Sequence, residues 1–122
     1  WEDATKTCFY ANCDPPDVVE WDLPGPNDNP SLDRDDIPGT GPENIRISVP
    51  STSHAYGIGI RNYNNPNFPV SVTVNVYCGG TLLHGQVYTS NQVKEIVYVG
   101  SVTYADPGPC SFVHDGTILQ QP

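Results

Sequence analysis

Oxygen donors gather in one short stretch of this chain: Asp28, Asp33, Asp35 and Asp36, then Glu43 and Asn44 after a Gly-Pro turn. Calcium is held by six to eight oxygens, carboxylates and carbonyls together, on a flexible loop. Carboxylates packed this closely with few bases beside them repel one another and must protonate, spread or take a cation. These six residues are therefore the expected calcium ligands, with carbonyls of the neighbouring proline-rich turns completing the shell. The spacing is not that of an EF-hand: counted from Asp33, glycine falls at position 7 instead of 6, and position 12 is Asn44 instead of glutamate. Magnesium fits less well, because it rarely uses an all-protein cage. The plainer alternative is a solvated acidic loop that uses aspartate for its turns.

The remaining reactive side chains point to structure more than to catalysis. Four cysteines in a chain of 122 residues favour an oxidising compartment. The expected pairs are Cys8–Cys13, a tight local ring, and Cys78–Cys110, a longer staple from the end of one strand to the stretch after the last strong one. Zinc on four thiolates would call for closer paired spacing, and no C-x-x-C redox motif is present. His54, His84 and His114 are scattered along the sequence, each without a second ligand type close by, so surface or turn roles are expected over a zinc triad. No G-x-S-x-G elbow occurs, and nothing places two carboxylates across a cleft, so no enzyme activity is expected. Trp1, Phe9, Tyr10 and Trp21 could stack a sugar beside the acids; more often such aromatics anchor a loop onto a sheet. No N-linked sequon is present, since Asn29-Pro30-Ser31 fails at its proline.

Charge placement narrows the partners. Residues 1–43 carry eleven of the fourteen acids and only Lys6 and Arg34 as bases, which is the whole net charge of −9; residues 44–122 balance. Nucleic acid needs a basic face and is disfavoured, while a cation is favoured. No run of eighteen apolar residues spans a membrane. The opening at Trp1, without a charged-then-apolar leader, reads as a mature secreted form.

The elements that must position these groups are strands. Val70, Val72, Val74, Val76 and Cys78 alternate with Ser71, Thr73, Asn75 and Tyr77, the clearest period of two in the chain. Tyr56, Ile58 and Ile60 alternate in the same way, as do Ile45, Ile47 and Val49. Gly79-Gly80 suits a two-residue hairpin into a strand near Thr81–Thr89. Val97 and Val99 share a face with Val102 and Tyr104 only if a β-bulge near Gly100-Ser101 slips the chain by one residue. No segment has a helical period. Residues 1–43, with seven of the thirteen prolines, are expected to be irregular and pinned by a disulfide and an ion. An antiparallel β-sandwich follows. It is expected as a single domain over 1–122: an acidic loop region at 1–43, a sheet core at 44–104 and a tail at 105–122.

The run Asp28-Asn29-Pro30-Ser31-Leu32-Asp33-Arg34-Asp35-Asp36, leading into Gly39-Thr40-Gly41-Pro42-Glu43-Asn44-Ile45, resembles the D-N-P-x-L-D-x-D-D-x-x-G-x-G-P-E-N-I signature of YfaP-like secreted bacterial domains. Cys8-Phe9-Tyr10-Ala11-Asn12 is similar to their C-Y-Y-A-N stretch. Val74-Asn75-Val76-Tyr77-Cys78-Gly79-Gly80 is similar to the V-x-I-Y-C-G-G strand end of members from predatory soil bacteria. Val97 to Tyr104 resembles the closing strand, with its tryptophans replaced. The resemblance covers about residues 8–104 and implies an immunoglobulin-like sandwich used as a module of surface and secreted proteins. It implies no reaction. The family opens with an Asp-Leu-Asp-Leu-His strand that this chain lacks ahead of Cys8, so a sandwich short of its first strand is expected.

That expectation bears on the tail, where Phe112, Val113, Ile118 and Leu119 suit an extended strand. The tail either completes the chain's own sheet or fills the open groove of a neighbouring copy, which would build a filament by strand addition. The sequence thus leads to a non-enzymatic extracellular structural module, held by calcium and disulfides and self-associating into a surface assembly. The alternative is an adhesion module that binds glycans or another surface ligand through its N-terminal aromatics and acids.

Overall fold

The computed structural model describes residues 6–9, 12–13, 21, 27–34, 41–63, 67 and 69–120. Every regular element among them is a β-strand, so the protein is all-β as the alternation requires. The chain divides into two compact units, Trp1–Ser51 and Thr52–Pro122.

The first unit contains β1 (Pro30–Arg34) and β2 (Asn44–Ile47), paired antiparallel with Leu32 opposite Ile45 and Ser31 opposite Arg46. This corrects the expectation of a strandless stretch through residue 43. β1 is five residues long with Pro30 and Leu32 as its only buried apolar side chains, too few to register as a period. Proline at its first position withdraws a donor where a strand tolerates the loss. Pairing with β1 also takes β2 out of the sheet core assigned to residues 44–104. The register slips between Leu32 and Arg34, leaving Asp33 as the extra residue of a bulge. Cys13, 1% exposed, packs inside this unit and accepts the Leu32 N–H on its carbonyl (3.4 Å), while the Val49 N–H donates to the carbonyl of Asn27 (2.9 Å).

The second unit holds the longer strands, and its sheets pack against each other as in a sandwich. β3 (Ala55–Arg61), β6 (Glu95–Thr103) and β7 (Ser111–His114) form one sheet with β6 central, and β8 (Ile118–Gln120) also pairs with β6. β4 (Val70–Cys78) and β5 (Thr81–Ser90) form a hairpin sheet. Gly79 and Gly80 turn that hairpin at φ +54° and +81°, the positive region a two-residue turn demands and glycine enters freely. Tyr88 from β5 meets Val97 and Val99 from β6, and Ile58, Ile60, Val74 and Phe112 pack around them. Each fully buried valine of this kind contributes about 1.5–3 kcal/mol.

The expected bulge is present within one residue of its predicted place. Ile58 faces Gly100 and Gly59 faces Tyr98, so Val99 has no counterpart on β3. Gly100 adopts φ +152°, and a Cβ there would collide with the Val113 carbonyl oxygen and lie 2.6 Å from Phe112 Cζ. β7 can therefore lie close on β6 only over a glycine. The tail is seated on its own chain. Ser111–His114 pairs with Gly100–Thr103, and Ile118–Gln120 pairs with Glu95–Val97. Between them the Gly116 N–H donates to the Tyr98 carbonyl and the Tyr98 N–H to that of Thr117, both at 2.8 Å.

Candidate functional site

Asp33 and Asn44 of the acidic stretch are positioned by β1 and β2. At the bulge the carboxylate of Asp33 meets two donors from β2: Arg46 Nε lies 2.8 Å from Oδ1, and Asn44 Nδ2 donates to Oδ2 at 2.9 Å. The Ser31 hydroxyl donates more weakly to Oδ1 at 3.5 Å. A bulge redirects a side chain, and here it delivers Asp33 to the β2 residues around it. Asp28 and Asn29 lie just before β1 and are both 5% exposed. Asn29 Oδ1 accepts the backbone N–H of Trp21 at 2.6 Å, which fixes the chain of residue 21 against the entry to β1.

Of the six expected calcium ligands, the structure thus buries Asp28, engages Asp33 with Asn44 and Arg46, and leaves Glu43 and Asn44 at the surface. Asp35 and Asp36 lie outside the described residues. Among the described residues no three His, Cys, Asp or Glu side chains converge as a metal cluster would. Arg46 is the partner that sequence reasoning missed; its signal was its place in the Ile45-Arg46-Ile47 alternation, which puts it on the face opposite the isoleucines.

Of the candidate stacking aromatics, Trp21 is half-buried and Phe9 sits at the surface, its N–H bonded to Asn12 Oδ1 at 2.9 Å. Trp1 and Tyr10 lie outside the described residues. Both disulfides form as expected, Cys8–Cys13 in the first unit and Cys78–Cys110 in the second. The second joins the end of β4 to the residue just before β7, so it anchors the point from which the tail departs.

A second constellation was not legible in the sequence. His84 and Tyr88 on β5, and Phe112 and His114 on β7, bring four rings together. His84 stacks on Phe112 with ring centres 4.4 Å apart and lies 5.6 Å from the ring of His114. His84 Nε2 is 2.8 Å from the Tyr88 hydroxyl, and the Tyr88 ring centre is 6.2 Å from that of His114. Burial pushes the Tyr88 phenol up, which keeps it neutral. Beside His114, the carboxylate of Asp115 accepts hydrogen bonds from the hydroxyl and the N–H of Thr117, the latter at 2.9 Å. The hydroxyl bond first, then the N–H bond, and last the nearby His114 hold the Asp115 carboxyl below the usual carboxylate range. The spacing of Phe112 and His114, two apart, marks one face of a strand. Nothing in the sequence said that this face meets His84.

No helix among the described residues is long and apolar enough to cross a membrane. The sequence matches no family model, and no curated protein or solved structure matches it.

Proposed function

We propose that this protein is a non-enzymatic extracellular structural module, held by its two disulfides and by calcium in its acidic first unit, whose copies join into a surface assembly by exchanging strands. The observation that carries the reading is the architecture itself: an all-β chain with a disulfide in each of its two units. Disulfides persist in oxidising, extracytoplasmic settings. Support for self-association comes from the edges. Among the described residues β4 and β5 pair only with each other, so both outer edges of this long hairpin keep unpaired backbone donors and acceptors. The tail, anchored at Cys110, is a short segment with Val113, Ile118 and Leu119 exposed. Exchange would move this segment from its own β6 to the β6 of a second copy and reproduce the same registers there. Support for calcium comes from the burial of Asp28 beside Asn29 and from the eleven acids of residues 1–43. An immunoglobulin-like sandwich in the manner of YfaP-like domains is part of the same reading.

The test is light scattering joined to thermal melting. A mass above one chain is expected at micromolar concentration. The melting temperature should fall on adding a chelator and recover with calcium, by an amount that grows with free calcium above Kd. A monomer whose melting temperature ignores both reagents, together with unchanged stability in the Asp35→Asn/Asp36→Asn variant, refutes the proposal.

A further inference from the structure

Natural sheets blunt their open edges with charges, prolines, bulges or short strands. Among the described residues of the second unit, the edges differ in this respect. β5 carries a bulge, since Leu83 has no counterpart between the pairs His84–Val76 and Leu82–Tyr77. β3 is seven residues long, holds two glycines and ends on Arg61. β7 and β8 are short pieces of four and three residues. β4 is nine residues long and unbroken, holds no proline, and pairs only with β5. It also lies inside the stretch 62–93, which contains no Asp, Glu, Lys or Arg. From this edge we propose that β4 pairs with β4 of a second copy, antiparallel about a two-fold axis through Val74, so that two hairpins become one four-stranded sheet. The inference rests on the self-association read above, but not on exchange of the tail.

The order of residues along β4 suits pairing with itself. Directly opposite residues share a face, and a two-fold through Val74 sets Val72 against Val76, Val70 against Cys78, Thr73 against Asn75 and Ser71 against Tyr77. All nine residues then find partners, apolar with apolar on one face and polar with polar or tyrosine on the other. A register shifted by one would set valines against the polar row. The apolar row is also incompletely covered within one chain. Val74 packs on the core and Val76 is 7% exposed, yet Val72 on the same face is 36% exposed. A second β4 beside it would extend the face on which Val72 lies.

Electrostatics favour a second copy as the occupant. Each chain carries −9, so two copies repel wherever their acids face each other. The uncharged edge is where they can approach, and it offers a charged partner nothing to attract it. The strip is about 30 Å long and about 10 Å deep, burying about 600 Å² over both partners. That is below the roughly 1,000 Å² of a stable complex, so a weak dimer is expected from this contact alone. Copies held together by another contact would gain from it through effective concentration.

The test uses the full chain with both disulfides intact and calcium present, followed by sedimentation equilibrium from about 10 to about 500 μM. Thr73 and Asn75 are exposed and face each other across the proposed axis, so a charge swap reads the contact directly. Thr73→Lys/Asn75→Lys puts like charges opposite each other twice, and Thr73→Lys/Asn75→Glu puts opposite charges there twice. The first pair of changes should weaken dimerisation by about tenfold, and the second should keep it within a few-fold of the wild type. The first also lowers the net charge, which by itself favours association, so its loss reports the edge. Amide exchange at both ends of the concentration range gives a second readout. Alternate amides of β4 should gain protection in the dimer, while those of β7 and β8 should not change. Association that is equal in the wild type and both variants, or new protection confined to other strands, overturns this edge and leaves tail exchange standing. A monomer throughout the range overturns both.

Discussion

The two units of this chain solve the stability problem by different means. The first, Trp1–Ser51, holds eleven acids against three bases, and its regular structure among the described residues is one short strand pair. The second, Thr52–Pro122, holds three acids against two bases and presses two sheets around Tyr88, Val97 and Val99. Apolar burial stabilises the second unit whatever the ionic conditions. The first must offset the mutual repulsion of its carboxylates, and its stability therefore answers to what binds them. The difference can be read separately, because both tryptophans lie in the first unit and six of the seven tyrosines in the second. Tryptophan fluorescence follows one, and tyrosine absorbance largely follows the other.

The largest expected effect comes from the covalent staple of the second unit. Cys78–Cys110 closes a loop with a sequence separation of 32, against 5 for Cys8–Cys13. On the loop-entropy account the first crosslink contributes about 4 kcal/mol and the second about 2 kcal/mol. Replacing Cys78 and Cys110 together by alanine should lower the unfolding free energy from urea titration reported by tyrosine about twice as far as the Cys8/Cys13 double replacement lowers the one reported by tryptophan. Equal shifts would mean that loop length does not set the contribution of either bond. Next comes Gly100→Ala. The added methyl meets the Val113 carbonyl and the Phe112 ring, and the backbone is held where alanine is strained. A loss of about 3 kcal/mol is expected, with β7 losing protection from amide exchange before β3 does. Wild-type stability in that variant would show that β7 does not need its close approach to β6.

How much of this was legible depends on where the information lies. Within a strand the sequence speaks clearly. The alternation from Val70 to Cys78, the Gly79-Gly80 turn and the slip near Gly100 all stand in the structure, because each is set by neighbours in the chain. Choice of partner is set by residues far apart, and there the reading falters. Ile45 and Ile47 announce a strand but not that it pairs with Pro30–Arg34. Asp33 announces an oxygen donor but not that a bulge turns it toward Arg46 and Asn44. His84 and His114 are thirty residues apart, and only the stacking of two sheets makes them neighbours. The disulfides were within reach because a loop of six residues admits few partners and a strand end needs an anchor.

The smallest effect tests whether the charged unit leans on the ion pair that the fold supplies. The side chains of Arg46 and Asp33 are 64% and 31% exposed, and a pair so open to water contributes little: screening and the entropy of fixing two side chains consume most of the attraction. Arg46→Ala should therefore cost less than about 1 kcal/mol in the transition reported by tryptophan when calcium is present. On the proposed calcium binding, this variant has a second readout. Without Arg46, Asp33 loses its cationic partner while keeping the Asn44 amide, and the local negative field deepens. A bound cation then becomes worth more, so the rise in melting temperature between chelator and calcium should be larger in Arg46→Ala than in the wild type. The same rise in both would separate Asp33 from the calcium ligands and leave Asp28 and the carboxylates after β1 as the ones that matter. A smaller rise would mean that Arg46 holds Asp33 in the ligating position instead of competing for it.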